Sequence, residues 1–387
     1  MENIQHSHVQ AKGLKLHVAE IGNGPKVVVF LHGFPEIWYS WRHQMIAVAN
    51  AGYRAISVDF RGYGLSEHPS EPEKATFNDF VDDVVALLDS LGISKAHFVA
   101  KDFGAFVAAM LAILYPERVS TIILLGVPFL LPGLAPLQSQ LPLIPPGFYM
   151  LRWMVPGRAE ADFGRFDRKT VVRKVYTMFS GSLPPVAADD NQEIMDLVDS
   201  STPLPPWFSE QDLTEYGSLY EKCGFRTALQ VPYRTMMVPC GLDDPKITAP
   251  GLLIMGEKDY AMKFPGLEDY IRTGKIKESV YTDKGYTNGY KFVGIDILIV
   301  SISEWKRGKN GKNVKEEDNN GKYKKDGKDA KNGKSLTPTA FDIVVETTPV
   351  SPNRDIAANS APKQPKPNTA ASTEAYMIAK PDADASK

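Results

Sequence analysis

Apolar and polar residues alternate through "HVQAKGLKLHVAEIG", with a break at Gly13. A period of two predicts an antiparallel hairpin at a sheet edge. The next run, "KVVVFLHG", is continuously apolar and β-branched, which suits a strand buried on both faces of a largely parallel sheet. "WYSWRHQMIAVANAG" predicts a helix stopped by Gly52, "YRAISVDF" a strand, and "TFNDFVDDVVALLDSLG" an amphipathic helix ending at Gly92. Two further strands, "AHFVA" and "TIILLG", flank the helical "GAFVAAMLAILYPE". Strands alternating with helices imply an α/β fold with a mostly parallel, doubly wound sheet.

The pattern changes at Pro128. "PFLLPGLAPLQSQLPLIPPGF" is rich in Pro and Leu, and from Tyr149 to about Pro239 the pattern is mostly helical, until "APGLLIMGEKD" resumes a strand. The expected organisation is a core segment 1–128, an inserted helical cap 129–245, a return to the core over 246–290, and a divergent tail 291–387. Within that tail "KFVGIDILIVSISEW" reads as one strand, whereas "KRGKNGKNVKEEDNNGKYKKDGKDAKNGK" offers almost nothing to bury. The tail is therefore expected to be largely disordered. Acids and glycines interrupt its lysines, which weakens its reading as an arm for an acidic surface.

Composition narrows the classes. The 387 residues are 43% hydrophobic and 23% charged, enough for a substantial core in one or two domains. A formal net charge of −2 gives no reason to expect a nucleic-acid partner. Cys223 and Cys240 are too few for a disulfide framework. The N-terminus lacks a signal-peptide pattern, no apolar stretch is long enough for a membrane span, and "DASK" is not a peroxisomal address. A cytoplasmic protein is expected. No metal and no cofactor are expected, since the histidines lack ligand spacing and the Gly-rich "RGYGLSE" lacks phosphate-loop spacing. Nothing in the sequence specifies an oligomeric state.

The chemistry centres on "HFVAKDFGAF". A strand, the turn Ala100-Lys101-Asp102-Phe103-Gly104 and a helix from Ala105 form a nucleophile elbow, with small residues on either side. Two readings of Asp102 stand open on this pentad: a carboxylate that attacks carbon directly to give an ester, or a helix N-cap. "HGFPE", His32 to Glu36, follows the buried strand, where a backbone N–H can join that of the residue after the nucleophile in an oxyanion hole. Those donors would be Phe34 and Phe103, and Pro35 is a candidate for a cis peptide bond.

"FLHGFPEIWYSWRHQ", "VDFRGYGLSE", "FVAKDFGA", "LLGVPF" and "GLLIMGEKDY" stand in an order that resembles the soluble epoxide hydrolases of the α/β-hydrolase superfamily, most closely the plant type, over residues 8–278. The resemblance implies an α/β-hydrolase fold in which Asp102 opens an epoxide to an alkyl-enzyme ester that water then converts to a vicinal diol. It implies that Tyr149, in "PGFYMLRWMVPG", and Tyr233, in "ALQVPYRTM", hydrogen-bond the epoxide oxygen, and that Asp259 orients a histidine base. The implied partner is a small-molecule epoxide, from a fatty acid or an aryl compound. Haloalkane and haloacid dehalogenases share the aspartate elbow, but their halide sites rely on N–H donors. Here Phe103 stands where tryptophan commonly follows the nucleophile, which favours an epoxide.

One departure is sharp. The histidines are His6, His8, His17, His32, His43, His68 and His97, and none follows Asp259. Neither His32 nor His97 is expected where the base must sit, and a carboxylate such as Glu304 is a weaker base near neutral pH. Alkylation of Asp102 is expected to survive, while turnover is impaired. The expected last strand, histidine loop and closing helix give way to unrelated sequence within a few residues of Ser279, the signature of a splice or gene-model junction. Transcript sequencing across the codons for Lys277 to Lys291 would sink that reading by showing one continuous frame. A non-catalytic small-molecule binding protein is the alternative.

Overall fold

The computed structural model describes residues 3–128, 132–133, 142, 144–180, 186–242, 246–256 and 279–282. Strands β1 (Gln5–Ala11) and β2 (Leu14–Ile21) form the antiparallel edge hairpin. Its turn places both Lys12 and Gly13 at positive φ. Strands β3 (Val27–Leu31), β4 (Arg54–Val58), β5 (Ala96–Lys101), β6 (Val119–Leu125), β7 (Gly251–Gly256) and β8 (Ser279–Thr282) complete an eight-stranded sheet in the order β1-β2-β4-β3-β5-β6-β7-β8. From β4 to β8 every neighbouring pair is parallel. All five residues of β3 are buried, as an unbroken apolar run requires in a sheet covered on both faces.

The crossover helices follow the apolar periodicity. In α2 (Phe77–Ser90), Phe77, Phe80, Val81, Val84, Leu87 and Leu88 are buried, and Thr76 with Asp79 closes a capping box at its start. Asp83 on the same helix is buried and takes two 2.7 Å bonds from Arg61. The sequence pattern predicts one helix from Trp38, whereas the chain forms a 3-10 turn over Trp38–Trp41 before α1 (Arg42–Asn50). Tertiary contacts explain the change: the Trp38 N–H is drawn to Asp59 Oδ1 at 2.7 Å. The elbow also differs by one residue at each side. Strand β5 runs through Lys101, and α3 (Gly104–Leu114) starts at Gly104, buried along its length to Ala112.

Between β6 and β7 lie α4 (Tyr149–Met154), α5 (Arg158–Phe163), α6 (Arg168–Met178), α7 (Glu210–Cys223) and α8 (Arg226–Leu229). Helix is sparser here than the sequence pattern suggests, with one 3-10 turn, Ile194–Leu197, in the described stretch between α6 and α7. Those residues instead supply carbonyls to buried cations: Arg152 bonds Ala188 and Asp189, and Lys174 bonds Met195 at 3.0 Å. Helix α7 is tied to the start of α1 and the turn before it through Asp212, which accepts from Arg42 at 2.7 Å and from the Tyr39 hydroxyl at 3.1 Å.

Strand β8 corrects one expectation. Where the last strand was expected to be replaced, Ser279–Thr282 pairs in parallel with β7 in register Leu253 to Ser279. Ladder bonds use backbone groups, so any short β-compatible segment can supply them. The 291–387 tail and its strand-like "KFVGIDILIVSISEW" lie outside the described residues.

Candidate active site

Parallel sheets bind ligands where the strand order reverses, outside the carboxyl ends of the strands. Here β3 has β4 on one side and β5 on the other. The loop after β3 carries His32 to Glu36, and the residue after β5 is Asp102. Asp102 has φ 54°, in the left-handed region that few residues other than glycine adopt. A Cβ on Gly33 would lie 2.3 Å from Asp102 Cβ, and one on Gly104 would lie 2.4 Å from the His32 carbonyl oxygen. Glycine at both positions therefore lets the loop rest against the elbow.

That contact brings the Phe34 N–H to 3.0 Å from Asp102 Oδ1, and the Phe103 N–H also bonds the carboxylate. The N-cap position of α3 is Phe103, one residue after the acid, and it makes no side-chain cap bond. Burial pushes the Asp102 carboxyl above its ordinary range. The two N–H groups oppose this, Glu36 adds to it, and Lys101 opposes it.

Tyr233 is buried in a distorted helical turn over Gln230–Arg234. Its ring meets Phe34 edge-on at 5.3 Å and Tyr149, the first residue of α4, at 6.2 Å. Burial, then Tyr149 and then Asp102, push the Tyr233 hydroxyl well above its ordinary pKa, so it stays protonated at neutral pH. The structure thus brings Asp102, Phe34, Phe103, Tyr149 and Tyr233 together. Asp259 lies outside the described residues, in the gap between Gly256 at the end of β7 and Ser279 at the start of β8. Pro35 follows a cis peptide bond.

His32 is fully buried, and both ring nitrogens are engaged. The Phe60 N–H donates to Nε2 at 3.1 Å, which leaves Nδ1 as the protonated nitrogen facing the Gly33 carbonyl at 2.9 Å. Burial lowers its pKa. His32 is therefore a neutral brace under the loop that carries Phe34. His97 is bonded to Thr121 and His17 to Asp59.

Two features escaped the sequence reading. Trp153 on α4 sits 5.0 Å from both Tyr149 and Tyr233 and 5.7 Å from Phe34, joining three parts of the site. Lys101, next to Asp102, pairs with Glu36 of the loop that carries Phe34 at 2.7 Å. The one available signal was opposite charge within two motifs already of interest. Among the described residues no His, Cys, Asp and Glu cluster could hold a metal, and no helix is long and apolar enough to cross a membrane.

A family profile described as the α/β hydrolase fold matches residues 26–190. Epoxide hydrolase 2 of Siraitia grosvenorii is 36% identical over 286 residues, spanning 72% of this chain and 89% of that protein. Bifunctional epoxide hydrolase 2 of Mus musculus is 32% identical over 67% of this chain and 48% of its own length. Among solved structures, an epoxide hydrolase from Vigna radiata shares 35% identity, covering 73% of this chain and 91% of that one with a TM-score of 0.64. A potato epoxide hydrolase variant carrying one histidine-to-asparagine change shares 32% identity over 72% of this chain and 92% of its own, again with a TM-score of 0.64. With strand order, elbow and relatives in agreement, the chain belongs to the plant-type epoxide hydrolases of the α/β-hydrolase family.

Proposed function

We propose that this chain opens small-molecule epoxides by attack of Asp102 and stalls, or nearly stalls, at the resulting ester. The observation that carries the reading is the paired donation of the Phe34 and Phe103 N–H groups to one carboxylate, beside a buried tyrosine held protonated. An oxygen of Asp102 forms a bond to an epoxide carbon, and the ring C–O bond breaks. The oxygen that leaves with the electron pair takes a proton or hydrogen bond from Tyr233 or Tyr149. The former carboxylate becomes an ester whose carbonyl oxygen remains under the Phe34 and Phe103 donors.

The second half-reaction needs water to lose a proton as it attacks that ester carbon. In the proposed scheme Asp259 would orient the base, but no histidine follows Asp259 in the sequence. His32 has no free nitrogen with which to serve. The helices between β6 and β7 act as the cap that supplies the tyrosines, and aryl or fatty-acid epoxides are the substrate classes that suit this aromatic wall.

Intact-mass measurement after mixing with a reactive aryl epoxide, with an Asp102→Ala control and a diol assay, tests the reading. A persistent adduct on wild type alone, with little diol, is expected. Rapid diol formation would overturn the stalled half. Ligand released unchanged, with no adduct, would favour a protein that only binds.

A further inference from the structure

The pair that closes over the elbow is asymmetric. The Glu36 side chain is 8% exposed and that of Lys101 45%, with Lys101 Nζ 2.7 Å from Glu36 Oε1. The other carboxylate oxygen, Oε2, accepts the Gly33 N–H at 3.1 Å, and the Glu36 N–H returns to the Gly33 carbonyl at 3.0 Å. The next N–H along the chain, that of Phe34, holds Asp102. Lys101 and Asp102 are adjacent in sequence, so the contacts form a closed circuit from ammonium to buried carboxylate, to loop, to nucleophile, and back through one peptide bond.

We propose that Lys101 is a positioning residue for alkylation: through Glu36 it clamps the loop that carries Phe34 onto the strand end that carries Asp102. The inference rests on the alkylation chemistry proposed above. An exposed ion pair alone would do little. Here one partner is buried, and a buried carboxylate stripped of its counter-charge must take up a proton or move toward water. Because Glu36 is bonded twice to Gly33, its movement displaces the Phe34 N–H, and misplacement near the reacting atoms is costly in rate.

The pair also acts on Asp102 through charge. Titratable groups that interact with it include Glu36, Lys101 and the hydroxyls of Tyr63 and Tyr233. Glu36 opposes ionisation of Asp102 and Lys101 favours it. The two ends of the clamp therefore have opposite electrostatic signs, although both hold the same loop.

The test is the rate of Asp102 adduct formation with an aryl epoxide, followed by intact mass across pH for wild type, Lys101→Met, Lys101→Arg and Glu36→Gln. Lys101→Met is expected to slow alkylation about tenfold to a hundredfold and to move the acid limb to higher pH. Lys101→Arg recovers most of the rate. Glu36→Gln also slows alkylation but moves the acid limb to lower pH, a reversal that a purely structural role would not produce. The half-exposed Lys101 side chain lets its variants fold, and Glu36→Gln reads the same clamp from its other end. Unchanged rate and unchanged acid limb in Lys101→Met would overturn the inference, as would limbs that move the same way in Lys101→Met and Glu36→Gln. No adduct on wild type would instead remove the alkylation reading itself, and this inference with it.

Discussion

The backbone N–H of Phe34 donates to Oδ1 of Asp102 at 3.0 Å across 68 residues of chain. That bond holds one carboxylate oxygen under a donor from the loop that follows β3. If Asp102 is the nucleophile, Asp102→Asn removes adduct formation while keeping a side chain that tolerates positive φ. Intact mass with an aryl epoxide should show no added mass on the variant.

The same burial that isolates Asp102 sets a pH dependence. Its pKa is raised in the folded protein, so its contribution to stability is full below the unfolded value and is lost as pH rises through the folded value. Asp102→Asn should therefore melt above wild type at neutral pH, and the difference should shrink on acidification through that window. Alkylation needs the ionised form, so its rate should fall as pH drops through a value above the ordinary carboxylate range. A thermal melt and an adduct-rate profile over the same pH series check both.

Gly33 is tested by the smallest possible change. A methyl group there would meet the Asp102 Cβ at 2.3 Å, so Gly33→Ala must push the loop that carries Phe34 away from Asp102. Overpacking of this kind costs about 1–3 kcal/mol. Denaturant unfolding should show that loss, and alkylation should slow by more than stability alone explains.

Tyr233 lies among Phe34, Tyr149 and Trp153. Tyr233→Phe keeps the ring packing and removes the acidic hydrogen. Adduct formation should slow by about a hundredfold, with an unchanged melting temperature as the control that packing is intact.

Trp153 joins both tyrosines to Phe34, and its buried indole N–H has no partner among the described residues. Trp153→Ala should cost about 3–5 kcal/mol in unfolding free energy, as expected for a large buried aromatic. Trp153→Phe should cost far less, because no hydrogen bond is forfeited. A loss in the Phe variant as large as in the Ala variant would mean that the indole N–H has a partner.

Much of this molecule was legible without coordinates, and the reason is locality. Alternation in "HVQAKGLKLHVAEIG", the continuous run in "KVVVFLHG" and the small residues around Asp102 each report on a few neighbouring positions. Hairpin, buried strand and elbow follow from backbone sterics and from which faces must leave water. The seven histidines and their absence after Asp259 are matters of sequence alone.

What only the tertiary structure decided depends on residues far apart in sequence. The 3-10 turn at Trp38 exists because Asp59 takes its N–H, and the sparse helix between α6 and α7 reflects carbonyls given to Arg152 and Lys174. The fixed tautomer of His32, the Lys101–Glu36 pair and the placement of Trp153 against both tyrosines are likewise long-range. Strand β8 forms where the match to the family motifs stops, because a parallel neighbour asks only for backbone groups. Local patterning determined the elements and the elbow; packing at the carboxyl ends of β3 and β5 decided which groups meet there, since a hydrogen bond or an ion pair depends on distance in space and not on separation along the chain.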